Sequence, residues 1–291
     1  MSPSGRAAAR VAVTAIALAG CADAGTADWP ARFEFGPQSV HQLRAGELGL
    51  PYLPVTFGDD TLWLPFDTGN MVGLTLASRL FEALGLPCDD SWELLDSAGE
   101  PVSTDCIARG VRAGVCGRTR DSVDVFEFHH ESLPGLVGPD ALPGDRLMID
   151  YGTGRLAVDD GPGPKAAPGF AVVPLTRSAR HPRLILVEGS VNGRPVLIEI
   201  DTGKSRTTVD RALVEALNLR RDDRGVRVGT VRLGPLTFEV ESAREVDTSG
   251  ISEGLPTPIS LGIGSDNLRR FVWGVDYSAG KLWLPQELPT P

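Results

Sequence analysis

The chain has 291 residues, 42% hydrophobic and 23% charged, enough for one large or two modest domains with real cores. Its formal net charge of −10 argues against a nucleic-acid partner, which would call for a basic face. With 34 glycines, 23 prolines and 6% aromatic residues, it points to many turns and short strands rather than long helices.

At the N-terminus, Arg6 and Arg10 precede a short apolar run, residues 11–19. That run is too short to span a bilayer, so residues 1–20 read as a signal peptide. Its end, Leu18-Ala19-Gly20-Cys21, resembles the lipobox of bacterial lipoproteins. The resemblance implies a lipidated Cys21, export to the cell envelope and a body held to a membrane by acyl chains. An ordinary secretory signal, with a cysteine that happens to follow it, is the other reading. Residues 21–31 are rich in small side chains and are expected to be a flexible tether.

The first half of the body is expected over residues 32–160. Residues 53–57 and 62–66 flank the turn Gly58-Asp59-Asp60, and the second run stops at Asp67-Thr68-Gly69. A short amphipathic helix is predicted over residues 77–86. Cys88, Cys106 and Cys116 permit one disulfide with one thiol left over, and all three pairings stay open. Residues 92–106 form two extended arms around Asp96-Ser97-Ala98-Gly99-Glu100: either a mobile cover or an ordinary surface hairpin. His129 and His130 would point to opposite faces of a strand, and no Cys/His spacing suggests a metal site. Residues 161–169 have the composition of a linker.

The second half, residues 170–291, repeats the first. Residues 184–187 and 196–200 flank Asn192-Gly193, the dipeptide most favoured in tight hairpins. The second strand runs into Asp201-Thr202-Gly203, at an offset of 134 from the first triplet. Another short helix is predicted over residues 210–219, with Asp210 as its N-cap. Near the end of each half, Asp150-Tyr151 matches Asp276-Tyr277, Gly154 matches Gly280 and Leu156 matches Leu282 at a constant offset of 126. The repeat predicts a duplicated, mostly β protein of two homologous lobes.

Two carboxylates at equivalent strand ends suggest a specific chemistry. Hydrolysing an amide needs a base for water and an acid for the carbonyl oxygen or leaving nitrogen. Two carboxylates within hydrogen-bonding reach cannot both ionise cheaply, so one keeps its proton and the pair supplies both roles. With both triplets in view, each followed by a helix and then by an apolar segment ending in glycine (Leu136-Val137-Gly138 and, more loosely, Leu261-Gly262-Ile263-Gly264), the chain resembles aspartic peptidases of the retropepsin and pepsin type. The likeness spans about residues 50–284.

That resemblance implies the acid-protease fold: in each lobe a small closed, barrel-like sheet with short helices, and a cleft between lobes. It implies Asp67 and Asp201 as the dyad, with base and acid unassigned. Thr68 and Thr202 would lock the two loops, and Gly69 and Gly203 would let backbone N–H groups approach the carboxylates. Gly138 and Gly264 would let the chain pass close behind each triplet. Asp96, Ser97, Ala98, Gly99 and Glu100 would be the flap tip over an extended peptide or protein substrate. No metal and no cofactor is implied, and duplication within one chain predicts a monomer. Two positions depart from the family pattern, Asn70 and Lys204. Lys204 either favours ionised carboxylate and works against proton sharing, or points into a subsite or to water. The expected function is therefore a membrane-tethered aspartic endopeptidase; the alternative is a catalytically silent relative that binds peptides or proteins.

Overall fold

The computed structural model describes residues 28–288 except 47, 131 and 166; the leader, Cys21 and the first part of the expected tether lie outside the described residues. The described chain is mostly β and includes a half-barrel sheet. Its longer helices, Ser78–Ala83 and Arg211–Ala216, have six residues each and sit where the sequence predicts helix. Asp210 caps the second as expected, its Oδ1 accepting from the Ala212 N–H at 2.8 Å.

Residues of the first half form an eight-stranded sheet and those of the second a seven-stranded one. Pro51–Phe57 pairs with Asp60–Pro65 through the tight turn at Gly58, and Leu186–Val191 pairs with Arg194–Ile200 through Asn192-Gly193. Asn192 and Gly193 both adopt positive φ, 50° and 81°, as a two-residue hairpin turn that follows the strand twist requires. Further along, the same pairing recurs. Leu74–Ala77 lies parallel to Arg118–Phe128 and antiparallel to Gly135–Val137. Thr208–Asp210 lies parallel to Arg244–Val246 and antiparallel to Ile259–Ile263. Inward-facing positions alternate with exposed ones, as along Pro51–Phe57, so each sheet buries one face on the core that runs through both halves.

A six-stranded sheet takes strands from both halves. Its order is Val40–Gln42, Arg155–Asp159, Arg146–Asp150, Trp273–Asp276, Lys281–Pro285, Phe170–Pro174. At its centre Leu147 lies opposite Val275, Met148 opposite Gly274 and Ile149 opposite Trp273. With the sequence offset of 126, that register is symmetric about the Met148–Gly274 pair. The repeat in sequence is thus also a two-fold relation in the pairing of its last strands.

Two segments differ from expectation. The tether was expected to run to residue 31, yet Trp29–Arg32 forms a helical turn, Trp29 is fully buried and its Nε1 donates to Asp150 Oδ2 at 2.9 Å. Phe33 packs edge-on against Phe170 and Trp283. Arg146, also buried, stacks over Phe35, donates to the Phe33 carbonyl and forms a two-pronged pair with Asp159. Small residues upstream mask the weight of three aromatic side chains, whose burial anchors this stretch. The expected linker is held down as well. Ala167 is buried, and Gly163 lies so close to the Trp283 indole that a Cβ there would come within 2.6 Å of the ring.

The cysteine question is settled by proximity. Cys88 and Cys106 form a disulfide, and Cys116 is a buried thiol whose pKa desolvation pushes up to about 12. The bridge encloses the 92–106 hairpin at its base. Replacing both cysteines by serine should lower stability by about 3 kcal/mol, the scale expected for freeing a loop of this size, read from the midpoint of urea unfolding.

Candidate active site

Both Asp-Thr-Gly triplets sit where a strand leaves its sheet beside a parallel neighbour. Phe66 bridges in parallel to Val137, and the Asp67 N–H donates to the Val137 carbonyl at 2.9 Å. Arg194–Ile200 runs parallel to Ile259–Ile263, and the Asp201 N–H donates to the Ile263 carbonyl at 3.0 Å. Each aspartate is therefore aimed by a fixed backbone rather than by a free loop.

The threonines tie the two turns together. The Thr68 N–H donates to Thr202 Oγ1 and the Thr202 N–H to Thr68 Oγ1, both at 3.0 Å. Each hydroxyl then donates across to the other half: Thr68 Oγ1 to the Ile200 carbonyl at 2.9 Å, Thr202 Oγ1 to the Phe66 carbonyl at 2.7 Å. Both side chains are buried, so all four backbone groups rely on this exchange.

The carboxylates face one another. The Gly69 N–H donates to Asp67 Oδ1 and the Gly203 N–H to Asp201 Oδ1, each at 2.8 Å. A Cβ on Gly69 would come within 2.6 Å of the Asp201 carboxylate, and one on Gly203 within 2.1 Å of that of Asp67. Only glycine leaves room for the two acids to meet. Behind the turns, a Cβ on Gly138 or Gly264 would lie 2.7 Å from the Asn70 or Lys204 carbonyl, respectively. Both glycines thus let the chain pass close, as the sequence suggested.

Electrostatically the pair is unequal. Asp67 is pushed well above the usual carboxylate range, first by burial, then by the Asp201 charge and a hydrogen bond to Asp201. Burial pushes Asp201 up too, but the Lys204 charge and hydrogen bond, the Asp67 hydrogen bond and the Gly203 N–H outweigh it, and Asp201 is depressed. Lys204 Nζ lies 2.7 Å from Asp201 Oδ2 and also contacts the buried Glu199 carboxylate. Desolvation alone would lower the Lys204 pKa; Asp201 and Glu199 more than reverse that and keep it charged. Of the two orientations open for this lysine, it takes the one on the carboxylate. In the first half, Asn70 instead turns its Oδ1 to the Val72 N–H at 3.2 Å.

The hairpin expected as a cover is present, with arms Asp90–Leu95 and Pro101–Val115. Asp96 shapes its tip by accepting from the Ala98 and Glu100 N–H groups, both at 2.9 Å. The tip crosses to the second half: the Ser97 carbonyl accepts from the Gly250 and Ile251 N–H groups at 3.0 and 3.2 Å. A Cβ on Gly250 would come within 2.3 Å of the Gly99 nitrogen. Sequence reading missed this partner loop, as it missed Glu199. An acid inside the otherwise apolar run of residues 196–200 was the available signal, since a buried carboxylate demands a partner. Ser265, which donates to the Thr202 carbonyl at 2.9 Å and meets the Tyr151 hydroxyl at 3.2 Å, carried no such signal. His129 pairs at 2.5 Å with the buried Asp105 at the base of the hairpin, and no group of three or more metal-binding side chains occurs among the described residues.

No family model and no curated protein matches the chain.

Thr202→Val keeps the shape but orphans the Thr68 N–H and the Phe66 carbonyl, and should cost roughly 2–4 kcal/mol in urea unfolding. Thr202→Ser, which restores the hydroxyl, should recover most of that loss. Gly250→Val should break the tip contact; amide hydrogen exchange at residues 96–100 and 250–251 should accelerate while the sheets remain protected.

Proposed function

We propose that the protein is an aspartic endopeptidase of two homologous lobes, with Asp67 and Asp201 as its catalytic dyad. The observation that carries this reading is the reciprocal threonine exchange, which brings two glycine-lined carboxylates face to face at equivalent strand ends. A turn used only for structure has no need of an acid, a hydroxyl and a glycine in both halves.

The unequal environment favours one division of roles within this reading. Asp201, ionised beside Lys204, takes a proton from water, whose oxygen attacks the scissile carbonyl carbon. Asp67, kept protonated, gives its proton to the carbonyl oxygen. In the resulting tetrahedral diol the proton held by Asp201 passes to the leaving nitrogen. The C–N bond breaks, and one hydroxyl returns its proton to Asp67. Neither metal nor covalent intermediate enters. The substrate is an extended peptide or protein segment, which can pair with strand edges on either side. The hairpin tip reaching to residues 250–251 has to lift to admit it.

The remaining expectations stay with this reading. The Cys88–Cys106 disulfide fits an oxidising compartment and so favours export, with Cys21 as the lipid anchor and the protein acting as a monomer at the envelope. Among the described residues no helix is long and apolar enough to cross a membrane.

Because activity needs Asp201 ionised and Asp67 protonated, kcat/KM should fall as pH drops through the depressed Asp201 value and as it rises through the raised Asp67 value. A pH plateau wider than two ordinary carboxylates would provide is the expected profile with a peptide library. Asp67→Asn and Asp201→Asn should each reduce cleavage by at least about 1,000-fold with the fold retained. Tight peptide binding by folded protein that cleaves at no pH would instead favour the silent binding module.

A further inference from the structure

We propose that Glu199 and Lys204 act as a positioning pair that holds the dyad's single proton on Asp67 and sets the acid limb of the activity profile, an inference resting on the peptidase reading above. In a symmetric dyad the two carboxylates are equivalent and the proton has no preferred home. Here one side carries an extra cation. Lys204 Nζ is 2.7 Å from Asp201 Oδ2 and ion-paired with Glu199, a carboxylate only 4% exposed.

The repeat itself is the control. The first-half counterparts of Glu199 and Lys204 are Pro65 and Asn70. Yet the Asp67 turn forms the same contacts: the Asn70 N–H returns to the Asp67 carbonyl at 3.2 Å, as the Lys204 N–H returns to that of Asp201 at 3.4 Å. Making this turn therefore requires neither the acid nor the amine. Nor does stability account for the pair, because desolvating three charges offsets most of what their attraction returns.

The pair is closely packed. Gly262, on the parallel strand Ile259–Ile263, lies beside it: a Cβ there would meet Thr208 Oγ1 first, at 2.6 Å, and come within 3.2 Å of Lys204 Nζ and 3.3 Å of Glu199 Oε2. The charges that raise the Lys204 pKa are those of Asp201 and Glu199. Arg206 turns away to the Arg224 carbonyl and Ser242, and Asp266 is taken up by Thr207. The Tyr151 hydroxyl, on the first half, is kept neutral by burial and bonds to Ser265. Asp67 also feels the Lys204 charge, which lowers its pKa, but that is the least of the influences on it, and burial with the Asp201 charge and hydrogen bond outweighs it. Lys204 thus acts on Asp201, and Glu199 fixes where its ammonium sits and tempers its charge.

The test is a pair of titrations on the full chain: carboxyl-carbon NMR of Asp67 and Asp201, and the pH profile of peptide cleavage. Lys204→Met should raise the Asp201 midpoint and the acid limb of kcat/KM together by about one pH unit or more, because a cation that favours the ionised form is gone. Glu199→Gln keeps an oxygen for Nζ but leaves the ammonium unneutralised, so both readouts should move the opposite way. The double variant Glu199→Leu/Lys204→Met removes the buried Glu199 charge together with the cation and should fold; it should shift as Lys204→Met does. An Asp201 midpoint unmoved in both lysine variants would overturn the proposal, and so would shifts of the same sign in Lys204→Met and Glu199→Gln. The NMR titration needs no turnover. Wild-type protein that is folded but cleaves nothing would therefore count against the peptidase reading, while the carboxyl shifts still decide the role of the pair.

Discussion

The exchange of hydrogen bonds between Thr68 and Thr202 is the constraint on which the site depends. Each threonine offers a hydroxyl to a carbonyl of the other half and accepts an N–H from the other threonine, at 2.7–3.0 Å throughout. With both residues buried, breaking any one of these bonds leaves a polar group with no water to replace its partner. The two turns therefore move as one body. Their glycines, already pressed against the opposing carboxylates, leave little freedom in how Asp67 and Asp201 meet.

The rest of the architecture serves that contact. The six-stranded sheet, symmetric about Met148 and Gly274, joins the two halves through a continuous ladder rather than through a flexible connection. The N-terminal segment closes under it, through Trp29 on Asp150 and Arg146 on Asp159 and Phe33. Parallel neighbours at Val137 and Ile263 then aim the two triplets from their own sheets. Held in this way, the carboxylates can carry an unfavourable electrostatic arrangement that a looser site would relax by separating them.

On this symmetric frame the halves have diverged in matched places. The hairpin of the first half, stapled at its base by Cys88–Cys106, has only a short counterpart in the second, Arg220–Asp222 with Gly225–Arg227. In turn the second half carries the loop that receives the hairpin tip, at Gly250 and Ile251. The same division appears at the facing carboxylates, where Lys204 and Glu199 stand on one side and Asn70 and Pro65 on the other. Symmetry places the two acids; asymmetry makes them different.

Read alone, the sequence determined the repeat, the two triplets with their supporting residues, the hairpin around Asp96–Glu100, the Asn192-Gly193 turn and the Asp210 cap. Each of these is written locally, in a strand period, a turn residue or a spacing that recurs at a fixed offset. Only the tertiary structure decided which cysteines pair, where Lys204 points, what the hairpin tip touches, and that Trp29 belongs to the core instead of a tether. Those outcomes depend on partners far away in the chain: Cys106 beside Cys88, Glu199 and Asp201 around one ammonium, residues 250–251 under Ser97, Asp150 opposite the Trp29 indole. A local pattern can require that a buried charge or a bulky ring find a partner, but which residue meets it is chosen by the way the sheets bring distant strands together.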